Sequence, residues 1–133
     1  MCTLAVNYKG DIYPCIRYME SSLNGRQPPM PIGDICSGCL NKDSHKDNFY
    51  ECTSITRRSQ STDECFYCPI AKGCGWCSAY NYEEFGTNNK RATYICPTHK
   101  ATALANVYYW NHLYQYLQLD KTFKMHIPQE WAL

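Results

Sequence analysis

The sequence predicts a small α+β domain with an N-terminal β-hairpin, cysteine-rich loops and a C-terminal helix. Three observations carry this expectation. Apolar and polar residues alternate on both sides of Asn7-Tyr8-Lys9-Gly10-Asp11, the mark of a hairpin. Ten cysteines fall in 133 residues, far above ordinary usage. Beyond Pro97, apolar positions recur at three- and four-residue steps, the helical period.

Taken in order, Cys2 to Arg17 forms the hairpin, which puts Cys2 and Cys15 on paired strands near its open end. Ser21 to Pro31 is a loop, because its prolines lack amide donors and bias their predecessors toward extended backbone. A polar stretch follows Cys36-Ser-Gly-Cys39, and Phe49 to Arg58 reads as a short helix. Cys65 to Cys77 is a cysteine-dense loop, and Ser78 to Asn89 is turn-rich and polar. The clearest helix runs from about Pro97 to Leu119. Its face of Ala101, Leu104, Ala105, Tyr108, Tyr109, His112, Leu113 and Tyr116 is expected to pack on the domain. Pro97 and Asp120 suit its two boundaries. One compact domain over residues 1–120 and a loop-like tail over 121–133 complete the expectation.

A formal charge of +1, from 13 basic against 12 acidic residues, gives no electrostatic case for gripping phosphate backbones or anionic lipid. Nucleic acid and membrane are therefore not the expected partners. No segment approaches the roughly 20 apolar residues that span a bilayer, and no Lys/Arg-headed apolar run opens the chain. A cytoplasmic location follows as the default, and there thiolate-bound metal is favoured over disulfides.

Cys65-Phe-Tyr-Cys68-Pro-Ile-Ala-Lys-Gly-Cys74-Gly-Trp-Cys77 places two C-x2-C pairs in one short loop. Adjacent sulfurs at this spacing point at a common centre, a strong metal signal. Gly73 and Gly75 flank Cys74, where backbone without side chains wraps closely and aims amides at sulfur. Little apolar core forms in these loops, so metal binding is expected to be coupled to their folding.

The order Cys2, Gly10-Asp-Ile-Tyr-Pro-Cys15, the quartet Cys65, Cys68, Cys74 and Cys77, then Cys96 resembles the seven-cysteine SPASM domain of radical S-adenosylmethionine enzymes. Around it, Cys74-Gly-Trp-Cys77-Ser-Ala-Tyr and Ile95-Cys96-Pro-Thr-His99-Lys-Ala look most like the branch that matures ribosomally made peptides (RiPP modification). The resemblance covers roughly Cys2 to Tyr116. The last step of the quartet here is C-x2-C, where that family usually has C-x3-C.

The resemblance implies two four-iron four-sulfur (4Fe-4S) clusters, the first on Cys2, Cys15 and Cys77 and the second on Cys65, Cys68, Cys74 and Cys96. Cys36, Cys39 and Cys52 are candidate extra ligands, with the Cys36 and Cys39 pair preferred as the source of a fourth ligand to the first cluster. It also implies a parent enzyme that cleaves S-adenosylmethionine and abstracts a hydrogen from a precursor peptide. This chain is not expected to be an enzyme alone, since no C-x3-C-x2-C spacing is present. The catalytic domain is expected upstream, as a partner beside the precursor peptide and an electron donor or acceptor protein.

The alternative is a zinc-stabilised protein-interaction module without redox chemistry, and zinc is also compatible with a fragment prepared in air. Cys36, Cys39, His45 and Cys52 have spacing compatible with a separate zinc site. A disulfide-stapled secreted domain is the third reading. His99 and His112 read as packed or capping residues. Tyr108, Tyr109, Trp110, Tyr114 and Tyr116 read as core in preference to a peptide groove. Arg57, Arg58, Lys90 and Arg91 read as solvated surface in preference to contacts with a leader peptide.

Overall fold

The computed structural model describes residues 3–37, 39–40, 43–125 and 127–131. The chain is α+β and divides into two compact units, Met1–Thr62 with Trp76–Ala92, and Asp63–Gly75 with Thr93–Leu133.

The first unit opens with the expected hairpin. Strand β1 (Ala5–Val6) pairs antiparallel with β2 (Asp11–Tyr13) in the register Ala5 to Tyr13 and Val6 to Ile12. Asn7 organises the turn: its Oδ1 accepts from the amides of Lys9 at 2.9 Å and Asp11 at 3.0 Å, and its Nδ2 donates to Asp11 Oδ2 at 2.8 Å. Gly10 takes a φ of +95°, which an L side chain rarely adopts. Two more short strands, β3 (Gly33–Asp34) and β4 (Cys39–Leu40), extend the sheet as an antiparallel meander in the order β1-β2-β3-β4.

Helix α1 (Lys46–Ser54) starts earlier and stops sooner than the expected Phe49 to Arg58 segment. The chain then leaves helical geometry at Ile55, and Thr56 starts α2 (Arg57–Gln60) through a capping box with Ser59. The turn-rich reading of Ser78 to Asn89 is corrected: Ser78–Phe85 is a helix, α4, closed by Gly86 at φ +70°. Its polar letters misled because Asn81 points inward with Ala79 and Tyr82.

The core of this unit gathers Tyr13, Tyr18, Leu23, Met30, Ala79 and Tyr82. Two fully buried asparagines satisfy the polar groups this core encloses. Asn81 accepts from the Ala92 amide at 2.8 Å and the Trp76 indole at 3.1 Å, and donates to Gln60 and the Asn88 carbonyl. Asn88 Oδ1 accepts from the Tyr18 hydroxyl at 2.8 Å, while its backbone amide donates to Glu51 at 2.7 Å.

The second unit holds a short helix, α3 (Asp63–Phe66), a run of turns to Gly75, and the long helix α5 (Cys96–Tyr116). The tail folds back on α5, where the Asn111 side chain brackets Phe123, accepting from its amide at 2.8 Å and donating to its carbonyl at 3.3 Å. Lys100 lies over the Trp131 ring at 4.6 Å.

The expected inward face of α5 is corrected. No residue of the helix is fully buried, and Tyr108, Tyr109 and Tyr116 are 58% exposed or more. The half-buried stripe keeps Leu104 and Leu113 of the expected face but is otherwise Cys96, His99, Lys100, Ala103, Val107, Asn111 and Tyr114. It keeps helical spacing but contains Cys, His, Lys and Asn, which a count of apolar letters passes over. No helix among the described residues is long and apolar enough to cross a membrane.

Candidate metal centre

The cysteines sort between the two units in an ordered way. Cys65, Cys68, Cys74 and Cys96 all belong to the second unit, whereas Cys15 and Cys77 belong to the first. Cys2 lies outside the described residues. Cys15, Cys36, Cys52, Cys65, Cys68, Cys74, Cys77 and Cys96 are not joined in disulfides.

In the second unit, successive turns wrap the first C-x2-C pair. The Cys68 amide donates to the Cys65 carbonyl at 3.4 Å, and the Ala71 amide to the Cys68 carbonyl at 2.9 Å. Cys96 enters from the first turn of α5, where Pro97 suits the helix start because its missing amide is not needed there. Burial pushes the Cys96 thiol up, and the nearby Cys65, Cys74 and Cys68 sulfurs push it further, partly offset by Lys100. Cys96 therefore lies in the field of the other three sulfurs, although it comes from a different segment of chain. Of the two glycines beside Cys74, Gly75 is where close approach is realised: a Cβ there would lie 3.3 Å from His99 Cε1, while one at Gly73 would meet open space.

In the first unit, Cys15 leaves β2 and starts a 3-10 turn over Ile16–Tyr18, and Cys77 is the N-cap of α4. Both pack on the core, as does Cys52 from α1. All three sulfurs act on Tyr18, whose hydroxyl pKa is raised first by burial, against the lowering effect of its bond to Ser78, and then by Cys52, Cys77 and Cys15. Arg17 stacks over the Tyr80 ring at 4.5 Å and also lies in the field of Cys77 and Cys15. A guanidinium placed there offsets thiolate charge.

The three additional cysteines have different surroundings. Cys52 receives the Asn88 side-chain amide at 3.5 Å and lies 3.8 Å from Met30 Sδ. Burial, then the Glu51 carboxylate, pushes its thiol up to about 11. Cys36 is exposed and sits near Gly10, at the turn end of the hairpin, where a Cβ on Gly10 would be 3.3 Å from its sulfur. Cys39 lies in β4. Among the described residues, no group of three or more His, Cys, Asp or Glu side chains is arranged to hold a single metal ion.

Sequence reasoning read His99 as a packed or capping residue and gave it no part in the site. Its Nε2 is buried with no hydrogen-bond partner among the described residues, so it is not a satisfied packing or capping histidine. The available signal was its position three residues after Cys96, which places both on one face of a helix. His112, by contrast, is exposed and rests on Tyr108 with ring centroids 4.2 Å apart. Arg91 is more than solvated surface: its guanidinium stacks on Trp76 at 4.1 Å and donates to Ser61 at 3.2 Å.

Comparison with protein-family models, curated proteins and solved structures finds no match to this chain.

Proposed function

We propose that this chain is an auxiliary iron–sulfur module that holds two four-iron clusters within a radical S-adenosylmethionine enzyme acting on a ribosomally made peptide. The observation that carries the reading is the sorting of cysteines by unit. The four residues that the SPASM resemblance implies for one cluster fall together in the second unit, and the described members of the other set fall together in the first.

The donor chemistry fits. Eight described cysteines are not joined in disulfides, and sets of four cysteine thiolates are the usual ligands of such clusters. A tetrahedral zinc site brings its thiolates to within roughly 3.8 Å of one another, from a Zn–S bond of about 2.3 Å. A four-iron cluster gives each thiolate its own iron and accepts a wider set. In this reading Cys65, Cys68, Cys74 and Cys96 hold the second cluster, and Cys2, Cys15 and Cys77 hold the first. Cys52 is its fourth ligand, because among the described cysteines it alone joins Cys15 and Cys77 on the core. That assignment replaces the expected preference for the Cys36 and Cys39 pair, since Cys36 sits at the far end of the hairpin from Cys15.

When bound, such clusters supply one-electron transfer at a potential set by burial, charge and hydrogen bonds to sulfur. The residues of this chain set those conditions: Arg17 supplies positive charge beside Cys15 and Cys77, and Lys100 does so beside Cys96. The upstream catalytic domain, the precursor peptide and an electron donor or acceptor protein are the partners in this reading.

The test is selective loss. After anaerobic reconstitution of the full chain, Cys68→Ser with Cys96→Ser should remove about half of the iron and leave the rest as one intact four-iron cluster. Cys15→Ser with Cys77→Ser should remove the other half. Loss of all metal from either pair, or of none, would contradict two independent centres.

A further inference from the structure

Of the described buried side-chain nitrogens and oxygens, only Arg91 Nε and His99 Nε2 lack a hydrogen-bond partner. The guanidinium of Arg91 lies over the Trp76 ring, a face that attracts cations without hydrogen bonding. His99 has no such explanation. A buried polar atom without a partner is costly, and where one persists a missing water, ion or cofactor is the usual reason.

The surroundings narrow the choice. His99 stands on the half-buried face of α5, one turn beyond Cys96. Its ring lies against the loop at Gly75, where any side chain would meet Cε1 at 3.3 Å and Nδ1 at 3.6 Å. Cys74, Gly75 and His99 together line a cleft of about 410 Å³, whose other walls include Trp110, Phe123 and Met125. The cleft lies wholly within the second unit. No carboxylate lines it, and of its other polar side chains the Thr102 hydroxyl is already bonded to the Thr98 carbonyl at 2.9 Å. The remaining one, Asn106, is exposed. Cys74, one of the four cysteines, lines the same cleft as His99, so a sulfur of the centre this set would hold is an acceptor suited to the unpartnered Nε2.

We propose that His99 donates its Nε2–H to a sulfur of the centre held by Cys65, Cys68, Cys74 and Cys96, and thereby raises that centre's reduction potential. The inference rests on the iron–sulfur reading above. A donor aimed at sulfur stabilises the reduced state, which carries one more negative charge. Gly75 is required because it leaves the ring room beside Cys74. His99 is a tuning residue here, and the four cysteines remain the ligands.

The test compares His99→Phe and His99→Gln in the full chain, reconstituted anaerobically, with iron and sulfide content and both cluster potentials measured. Phenylalanine keeps the ring but removes the donor, whereas the glutamine amide restores a donor near the position of Nε2. The expected result is full iron in both variants, with one potential lowered in His99→Phe and largely recovered in His99→Gln. The reduction constant should change by about tenfold, the size of one hydrogen bond to a charged group, which is 59 mV for one electron. The other potential should not move and serves as an internal control. Loss of one cluster in His99→Phe with retention in His99→Gln would also support the contact. Unchanged potentials at full iron would overturn the inference while leaving the iron–sulfur reading intact. Loss of the cluster in both variants would overturn it too, because the donor would not be what matters. Wild-type chain that takes up no iron and sulfide would instead overturn the reading itself, and the inference with it.

Discussion

The buried side-chain amide of Asn88 donates to the sulfur of Cys52 at 3.5 Å. The same asparagine accepts from Tyr18 at 2.8 Å and also donates to Met30 Sδ at 3.5 Å. One residue thus ties a candidate ligand on α1 to the centre of the first unit's core. Asn88→Ala removes one of the two partners of the Tyr18 hydroxyl, the other being Ser78 Oγ at 2.6 Å, takes away the amide donated to Cys52 and opens a small void, so a loss of about 2–3 kcal/mol is expected. Chemical denaturation of the metal-free chain measures it, and a loss below about 1 kcal/mol would deny Asn88 this tying role.

The pH dependence of metal-free stability follows from Cys52 and Tyr18. Burial, then Glu51, raises the folded-state Cys52 pKa from 9.0 to about 11, and the Tyr18 hydroxyl moves in the same direction. Above the ordinary thiol value the folded chain therefore holds protons that the unfolded chain has released. The stabilisation is fully present below pH 9.0 and is lost as pH rises toward about 11. Denaturation midpoints should fall between about pH 8 and about pH 10.5, and the fall should be smaller in Cys52→Ala. An equal fall in both proteins would show that Cys52 is not the source.

Cys52 and Cys36 separate the two candidate sources of a fourth ligand to the first centre. Cys52→Ser should lower iron per chain or change the spectrum of one cluster, whereas Cys36→Ser, at an exposed site beside Gly10, should leave both unchanged. Elemental analysis with low-temperature electron paramagnetic resonance reads the outcome. The reverse pattern would return the ligand to the neighbourhood of the hairpin turn.

The outer aromatic face of α5 tests the corrected burial of that helix. Tyr108 is 68% and Tyr116 83% exposed, so Tyr108→Ser and Tyr116→Ser should each shift stability by no more than about 0.5 kcal/mol. A shift several times larger in the isolated chain would mean that this face is packed after all.

Much of the fold was legible because its signals are local. Alternation around Asn7 to Asp11 marked the hairpin, and Pro97 lies in the first turn of α5. What escaped depended on side chains whose burial is decided by distant partners. Asn81 reads as a turn residue until Gln60, Trp76, Asn88 and Ala92 are seen to bond it. The same reason hid the inward stripe of α5, where Cys96, His99 and Asn111 occupy places that a hydrophobic pattern assigns to Leu or Val. For the candidate site, spacing picked out the cysteines, but only the fold separates them into two units and places Cys52 with Cys15 and Cys77.

The most direct measurement is iron, acid-labile sulfide and zinc per chain, on protein expressed with supplementary iron and purified without oxygen. Two four-iron clusters require about eight irons and eight sulfides, with little zinc, and that is the expected result. Zinc without sulfide, despite ample iron, would contradict it and leave a structural zinc module in its place.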